Sequence, residues 1–173
     1  MSDTERLFTT YHAMLVRYLT RRLGDRDWAE DIAQETFVRA LRQEHLVNER
    51  SWLFAVATNL VRDEARKDIR HRRYLALLAE EQREAHEEEA PDVVLERALD
   101  AADARRALDA LAERDRHALL LREEGLDYTE IAEILGVAVG SVGTTLSRAR
   151  RRLAEGYEAQ VAARAERGHH AAS

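Results

Sequence analysis

Residues Ser141 to Arg152, SVGTTLSRARRR, set small hydroxyl side chains ahead of a run of arginines at helical spacing, a combination suited to a DNA groove. Hydrogen-bonding groups at the start of such a helix can reach base edges. Guanidinium groups further along neutralise phosphates and add affinity without reading sequence. The candidate contacts are Ser141, Gly143, Thr144, Thr145, Ser147, Arg148, Arg150, Arg151 and Arg152. A second constellation lies in Asp27 to Arg42, where Asp31, Gln34, Glu35 and Arg39 recur at steps of three and four and so share one face of a helix. No glycine-rich phosphate loop, metal-ligand cluster or nucleophile signature occurs, so the chain reads as a non-enzyme with no catalytic residue, cofactor or metal. His169 and His170 are adjacent and lack the spacing of a closed metal site.

The elements that must hold these groups are helices. One proline and seven glycines among 173 residues, with an abundance of Ala, Leu, Glu and Arg, favour an all-α chain without sheet. Leu7, Tyr11, Met14, Leu15, Tyr18 and Leu19 give a first amphipathic helix over Thr4 to Leu23, with Gly24 as its stop. The next, Asp27 to Arg42, begins with Asp27 and Glu30 in capping-box spacing and carries the stripe Ala29, Ile32, Ala33, Phe37, Ala40 and Leu41. A long helix follows from Glu49 to about Ala79, in which Trp52 is a core residue rather than a stacking platform. From Val94 the helical period resumes, with Leu95, Leu99, Leu108, Leu111, Leu119, Leu120, Ile131, Ile134, Leu135, Val142 and Leu146 as its apolar set.

Within DYTEIAEILGVAVGSVGTTLSRARRRL a short helix, a glycine-bearing turn and a second helix follow closely, which is helix-turn-helix grammar. Ile131, Ala132 and Leu135 form the inner face of the first helix, Gly136 supplies a positive φ at its end, and Val142 and Leu146 anchor the second. The net charge of −6 is unevenly spread: bases gather at Arg62 to Arg73 and Arg148 to Arg152, and carboxylates at Glu80 to Glu96. The absence of cysteine excludes disulfides, thiolate metal sites and a cysteine nucleophile. With no apolar run long enough to cross a bilayer, the chain is expected to be cytoplasmic, without direct membrane insertion.

The segment ERDRHALLLREEGLDYTEIAEILGVAVGSVGTTLSRARRRL resembles the C-terminal domain of extracytoplasmic-function (ECF) RNA polymerase sigma factors of the sigma-70 family. AEDIAQETFVRAL is similar to that family's polymerase-binding helix, and SWLFAVATNLVRDEARK to its helix for recognising and melting the minus-ten element. The matches come in the family's order and cover most of residues 5 to 157. The resemblance implies two small helical domains: an N-terminal sigma domain at 1–75, an acidic linker at 76–93, a C-terminal sigma domain at 94–160 reading the minus-thirty-five element, and a flexible tail at 161–173. It implies that Asp31, Gln34, Glu35 and Arg39 meet core RNA polymerase, whose largest-subunit clamp helices and flap are the expected partners. It further implies that Asn48, Arg50, Asn59, Arg62, Asp63, Arg66 and Lys67 form the minus-ten surface, with an extruded base held near the loop Gln43 to Ser51. Promoter DNA and an anti-sigma factor complete the implied partners, and the acidic linker is expected to enter the polymerase RNA path.

One departure stands out. Where the family commonly has GTVKSRLHRARRRL, this chain has GSVGTTLSRARRRL, with Gly143, Thr145 and Ser147 in place of Lys, Arg and His. The alternative reading is a conventional helix-turn-helix repressor or activator, which would share the C-terminal motif but not the N-terminal matches.

Overall fold

The computed structural model describes residues 3–67 and 92–171. The acidic linker and the continuation of the third helix toward Ala79 lie outside those residues, apart from the linker's last positions. Among the described residues the order is α1 (Asp3–Leu23), α2 (Arg26–Ala40), α3 (Glu49–Lys67), α4 (Asp92–Asp109), α5 (Glu113–Glu123), α6 (Tyr128–Leu135) and α7 (Val139–Ala171), with no strand.

Helices α1, α2 and α3 pack on one another because each presents an apolar stripe at helical spacing. Leu15, Tyr18 and Leu19 of α1 are fully buried, as are Ala29 and Ala33 of α2 and Leu53, Phe54 and Ala57 of α3. The first turn between helices is made by Gly24, whose φ of 75° is a left-handed conformation open to glycine, and whose N–H returns to the Thr20 carbonyl at 2.8 Å. The cap of α2 is Asp25, not Asp27: its carboxylate accepts from the Trp28 N–H at 2.8 Å, and Glu30 pairs with Arg26 instead of closing a box. Because α2 ends at Ala40, Leu41 turns outward and is 57% exposed rather than buried. Trp52 is half-buried against the core, as expected of a packing residue.

In the second half, α7 is the spine on which α4, α5 and α6 pack. Ile131, Val142, Leu146 and Ala149 are fully buried, whereas Leu95 and Leu99, expected in the core, lie exposed on α4. Helix α7 does not stop at residue 160. It runs to Ala171, through the span read from sequence as a tail, and Arg164 ties it to α4 through Asp100 at 2.8 Å and the buried Asp103 at 3.0 Å. Arg106 completes the pairing of Asp103, also at 2.8 Å.

The halves are not separate. Helix α5 packs on α1 and α6 on α3, so one buried cluster runs from Leu7 through Phe54 and Leu121 to Leu146. No single helix among the described residues is long and apolar enough to cross a membrane.

Candidate functional site

The helix-turn-helix is built by local chemistry that closes both ends of α6. Asp127 accepts from the Glu130 N–H and Glu130 returns the favour to the Asp127 N–H, each at 2.8 Å, forming a complete capping box. Gly136 ends the helix at φ 67°, φ being unfavourable there for a side chain, and α7 leaves at a bend of 92°. Val142 and Leu146 then seat α7 on this pair and fix which of its residues face out.

Ser141, Thr144, Ser147, Arg150, Arg151 and Arg152 are exposed, with Gly143 half-covered. Thr145 is buried, so in this structure it belongs to the core and not to a groove-facing surface. Arg148 is likewise engaged inward: its Nε and Nη2 hold both oxygens of Asp115 at 3.1 and 2.6 Å in a fork, and Arg152 reaches the same carboxylate at 3.4 Å. The Arg148 hydrogen bond keeps the nearly inaccessible Asp115 carboxyl ionised, below its ordinary range despite burial. Helices α5 and α7 are thereby locked together. Arg150 and Arg151 remain directed outward, Arg151 with only a 4.0 Å approach to Glu155.

On α2, Asp31, Gln34, Glu35 and Arg39 lie together on the exposed face, with Arg39 donating to Glu35 at 2.9 Å. Val38, 41% exposed, supplies an apolar centre to the same face. An acidic rim about an apolar side chain suits a basic protein surface.

The residues from Asn48 to Asp63 are positioned by α3 and by the loop before it. Asn48 caps α3, its side-chain oxygen accepting from the Ser51 N–H at 3.2 Å. Asn59 and Asp63 are exposed; the side chains of Arg66 and Lys67 lie outside the described residues. Asn48, Arg50 and Arg62 each turn toward the helix-turn-helix. Asn48 Nδ2 donates to Glu130 at 2.8 Å, Arg50 approaches the same carboxylate at 3.5 Å, and Arg62 Nη2 reaches the Ile134 carbonyl at 3.5 Å.

Beside them is a buried polar group that gave no signal in the sequence. The Tyr18 hydroxyl and His117 Nε2 share a hydrogen bond across the junction of α1 and α5, and Thr58 Oγ1 lies 3.4 Å from both. Burial, then the charges of Arg22, Arg62 and Arg116, push the His117 pKa well below 6.5, while burial raises that of Tyr18. Both shifts favour the neutral form of each ring. A cleft of about 670 Å³ opens next to the pair, lined by Arg22, Arg62, Glu113, Arg114 and His117.

The neutral histidine has a measurable consequence. Above pH 6.5 the folded and unfolded chains both carry an uncharged His117; below it the unfolded chain takes up a proton that the buried ring refuses. Stability is thus fully present above that value and falls as pH drops, by up to about 1.4 kcal/mol per pH unit. Asp115 and Glu49, whose pKa values are lowered from 3.8 and 4.5, respond only at more acid pH. The thermal midpoint should fall between pH 7 and 5.5 in the wild-type chain and less so in His117→Gln.

Comparison with known proteins gives concordant results. Sigma-70 region 2 matches residues 7–71, and Sigma-70, region 4, matches residues 101–153. The chain is 33% identical over 155 residues to the RNA polymerase sigma factor YlaC of Bacillus subtilis, covering 86% of this chain and 88% of the relative. It is 35% identical over 152 residues to the ferric citrate uptake sigma factor FecI of Escherichia coli, covering 84% and 85%, and 35% identical over 159 residues to the ECF RNA polymerase sigma factor SigL of Mycobacterium tuberculosis, covering 85% and 84%. In fold it is similar to the sigma factor RpoE of Bartonella quintana, solved with the anti-sigma factor NepR, at a TM-score of 0.66 and 24% identity over 91% of this chain and 98% of that one.

Proposed function

Because this chain belongs to the extracytoplasmic-function branch of the sigma-70 family of RNA polymerase sigma factors, we propose that its surfaces divide promoter-specific initiation among three tasks. The chain is a non-enzymatic initiation factor that binds core RNA polymerase and promoter DNA. On our reading Asp31, Gln34, Glu35 and Arg39 dock on the polymerase clamp helices, with the flap contacting the C-terminal domain. Asn48, Arg50, Asn59, Arg62 and Asp63 form the minus-ten surface, with Arg66 and Lys67 continuing it. The exposed side of α7, Ser141, Thr144, Ser147, Arg150 and Arg151, reads the minus-thirty-five element, and Thr145 and Arg148 hold that helix in place. The N-terminal limit of 1–75 follows from the same assignment, the C-terminal domain runs on from 94 through the end of α7 at Ala171, and the cytoplasm, where polymerase works, is its place of action. An anti-sigma factor is the regulatory partner we expect.

The observation that carries the proposal is the coexistence of an exposed acidic face on α2 with a helix-turn-helix whose outward residues are hydroxyls and arginines. A conventional repressor needs only the second. The purified chain should retain core RNA polymerase when immobilised; capture of DNA alone, with no affinity for polymerase, would return the repressor reading.

Gly143 is the position where specificity departs from the relatives. A Cβ there would meet only the Tyr128 ring, at an ordinary 3.5 Å, so a longer side chain fits without moving the backbone. Gly143→Lys should stabilise the helix by about 1 kcal/mol or less, by the helix propensity of glycine. It also adds a cation near the base edges. Selection of minus-thirty-five sequences from a random pool should give a sharper consensus with Gly143→Lys than with the wild type; identical consensus sequences would show that this residue does not set specificity.

A further inference from the structure

Charged groups at the junction of α1, α3 and α5 are satisfied unequally. Arg17 of α1 grips Glu124, just past α5, through Nε at 3.0 Å and Nη2 at 2.5 Å, and the Glu124 side chain is 2% exposed. Arg22, later on the same helix, makes no such fork among the described residues. Its side chain is 5% exposed, yet its ion pair is with Glu113 at 3.9 Å, and that carboxylate is itself 72% exposed. The other polar groups near it are neutral hydroxyls, Thr58 at 3.5 Å and Tyr18. A guanidinium removed from water is costly unless an anion meets it in good geometry.

Arg22 lines the cleft of about 670 Å³, where Arg62 and Arg114 add two exposed guanidinium groups and Glu113 supplies the one carboxylate among the described lining residues. The potential there is positive. After burial itself, the charges of Arg22, Arg62 and Arg116 are what hold His117, on the same wall, below its ordinary protonation range. Val61, Ala65 and Leu135 make the rest of the lining apolar. Such a volume suits a small organic ligand, and guanidinium forks match phosphate oxygens, so the lining fits a molecule that joins phosphates to a flat ring.

We propose that this cleft is a binding site for a nucleoside di- or triphosphate, with Arg22, Arg62 and Arg114 on the phosphates and Val61, Ala65 and Leu135 against the base. Arg22 is the anchor, since its charge is already desolvated and fixed in a site where electrostatic attraction is strong. Glu113 is the internal competitor: it leaves Arg22 when the ligand enters, and its exposure allows that movement. The site shares only Arg62 with the surfaces assigned to DNA and polymerase, and it stands whether or not those assignments hold.

Calorimetric titration of the full chain with ATP, inorganic pyrophosphate and adenosine tests the proposal. ATP should bind about tenfold or more tightly than either fragment, because only ATP fills both the basic and the apolar lining. Arg22→Met keeps the length of the side chain and removes its charge. It should weaken ATP binding by about tenfold or more, the size of one charge-assisted contact, while the unliganded chain keeps or raises its thermal midpoint. Arg114→Ala should weaken ATP binding by about fivefold, and Glu113→Gln should tighten it by about threefold. Both of these positions are exposed, so they keep the test independent of any folding defect in Arg22→Met. Affinity for a single-stranded oligonucleotide should stay near the parent value in Arg22→Met; a loss equal to that for ATP would assign the cleft to DNA phosphates instead. Absence of saturable ATP binding, or ATP binding unchanged in both Arg114→Ala and Glu113→Gln, overturns the site. Pyrophosphate binding as tightly as ATP overturns the nucleotide assignment.

Discussion

Replacing Asp31 and Glu35 together by lysine is expected to lower affinity for core RNA polymerase by about 100-fold or more. Both carboxylates lie on the exposed face of α2, and Glu35 is already oriented by Arg39 at 2.9 Å. With this face docked on the clamp helices as proposed, reversal would turn two attractive contacts into like-charge contacts, each of which costs up to several kcal/mol in an interface. The fold itself should lose little, since the pair broken within α2 is an exposed i,i+4 bridge worth about 0.3–0.5 kcal/mol. Helical content should therefore match that of the wild type while binding, followed by fluorescence anisotropy with labelled protein, is lost. Wild-type affinity in the double variant would remove this face from the polymerase interface.

The arginines of α7 provide the second large effect, and they separate into classes. Arg150→Ala with Arg151→Ala removes two outward cations, so the slope of log affinity against log salt for duplex promoter DNA should fall by about 2. At 0.15 M salt affinity should drop by about tenfold or more, with the fold unchanged. Arg148→Ala should behave differently. It leaves the buried Asp115 with Arg152 alone at 3.4 Å, so the thermal midpoint should fall by several degrees while the salt slope stays close to wild type. If all three arginines lowered the slope equally and none altered the midpoint, the inward role given to Arg148 would be wrong.

Much of the local architecture was legible in the sequence because local patterns encode it. The spacing of Leu15, Tyr18 and Leu19 named a buried face, and Gly136 marked the turn between α6 and α7. Boundaries were harder: Asp25 and Asp27 both qualify as caps by type, and only backbone geometry picks Asp25. Thr145 and Arg148 were read as DNA contacts because a run of polar residues on a helix does not reveal which of them are engaged within the fold; here Thr145 is buried and Arg148 forks onto Asp115. The exposure of Leu95 and Leu99 shows the converse, since an apolar stripe needs a partner helix to bury it. The junction left no sequence signal at all. His117 sits 99 residues from Tyr18, and Glu124 lies 107 from Arg17, separations at which periodicity carries no information.

The central claim is that this chain confers promoter selection on a polymerase that lacks it, and reconstituted transcription measures that directly. Core RNA polymerase, the purified chain and a genomic fragment library are combined, and transcript 5′ ends are sequenced with each component omitted in turn. Defined start sites should appear only when polymerase and the chain are both present, each preceded by shared minus-ten and minus-thirty-five sequences at constant spacing, and they should vanish in the Asp31, Glu35 lysine variant. Start sites independent of the chain, or a DNA-bound dimer of the chain that leaves polymerase without new start sites, would contradict the account.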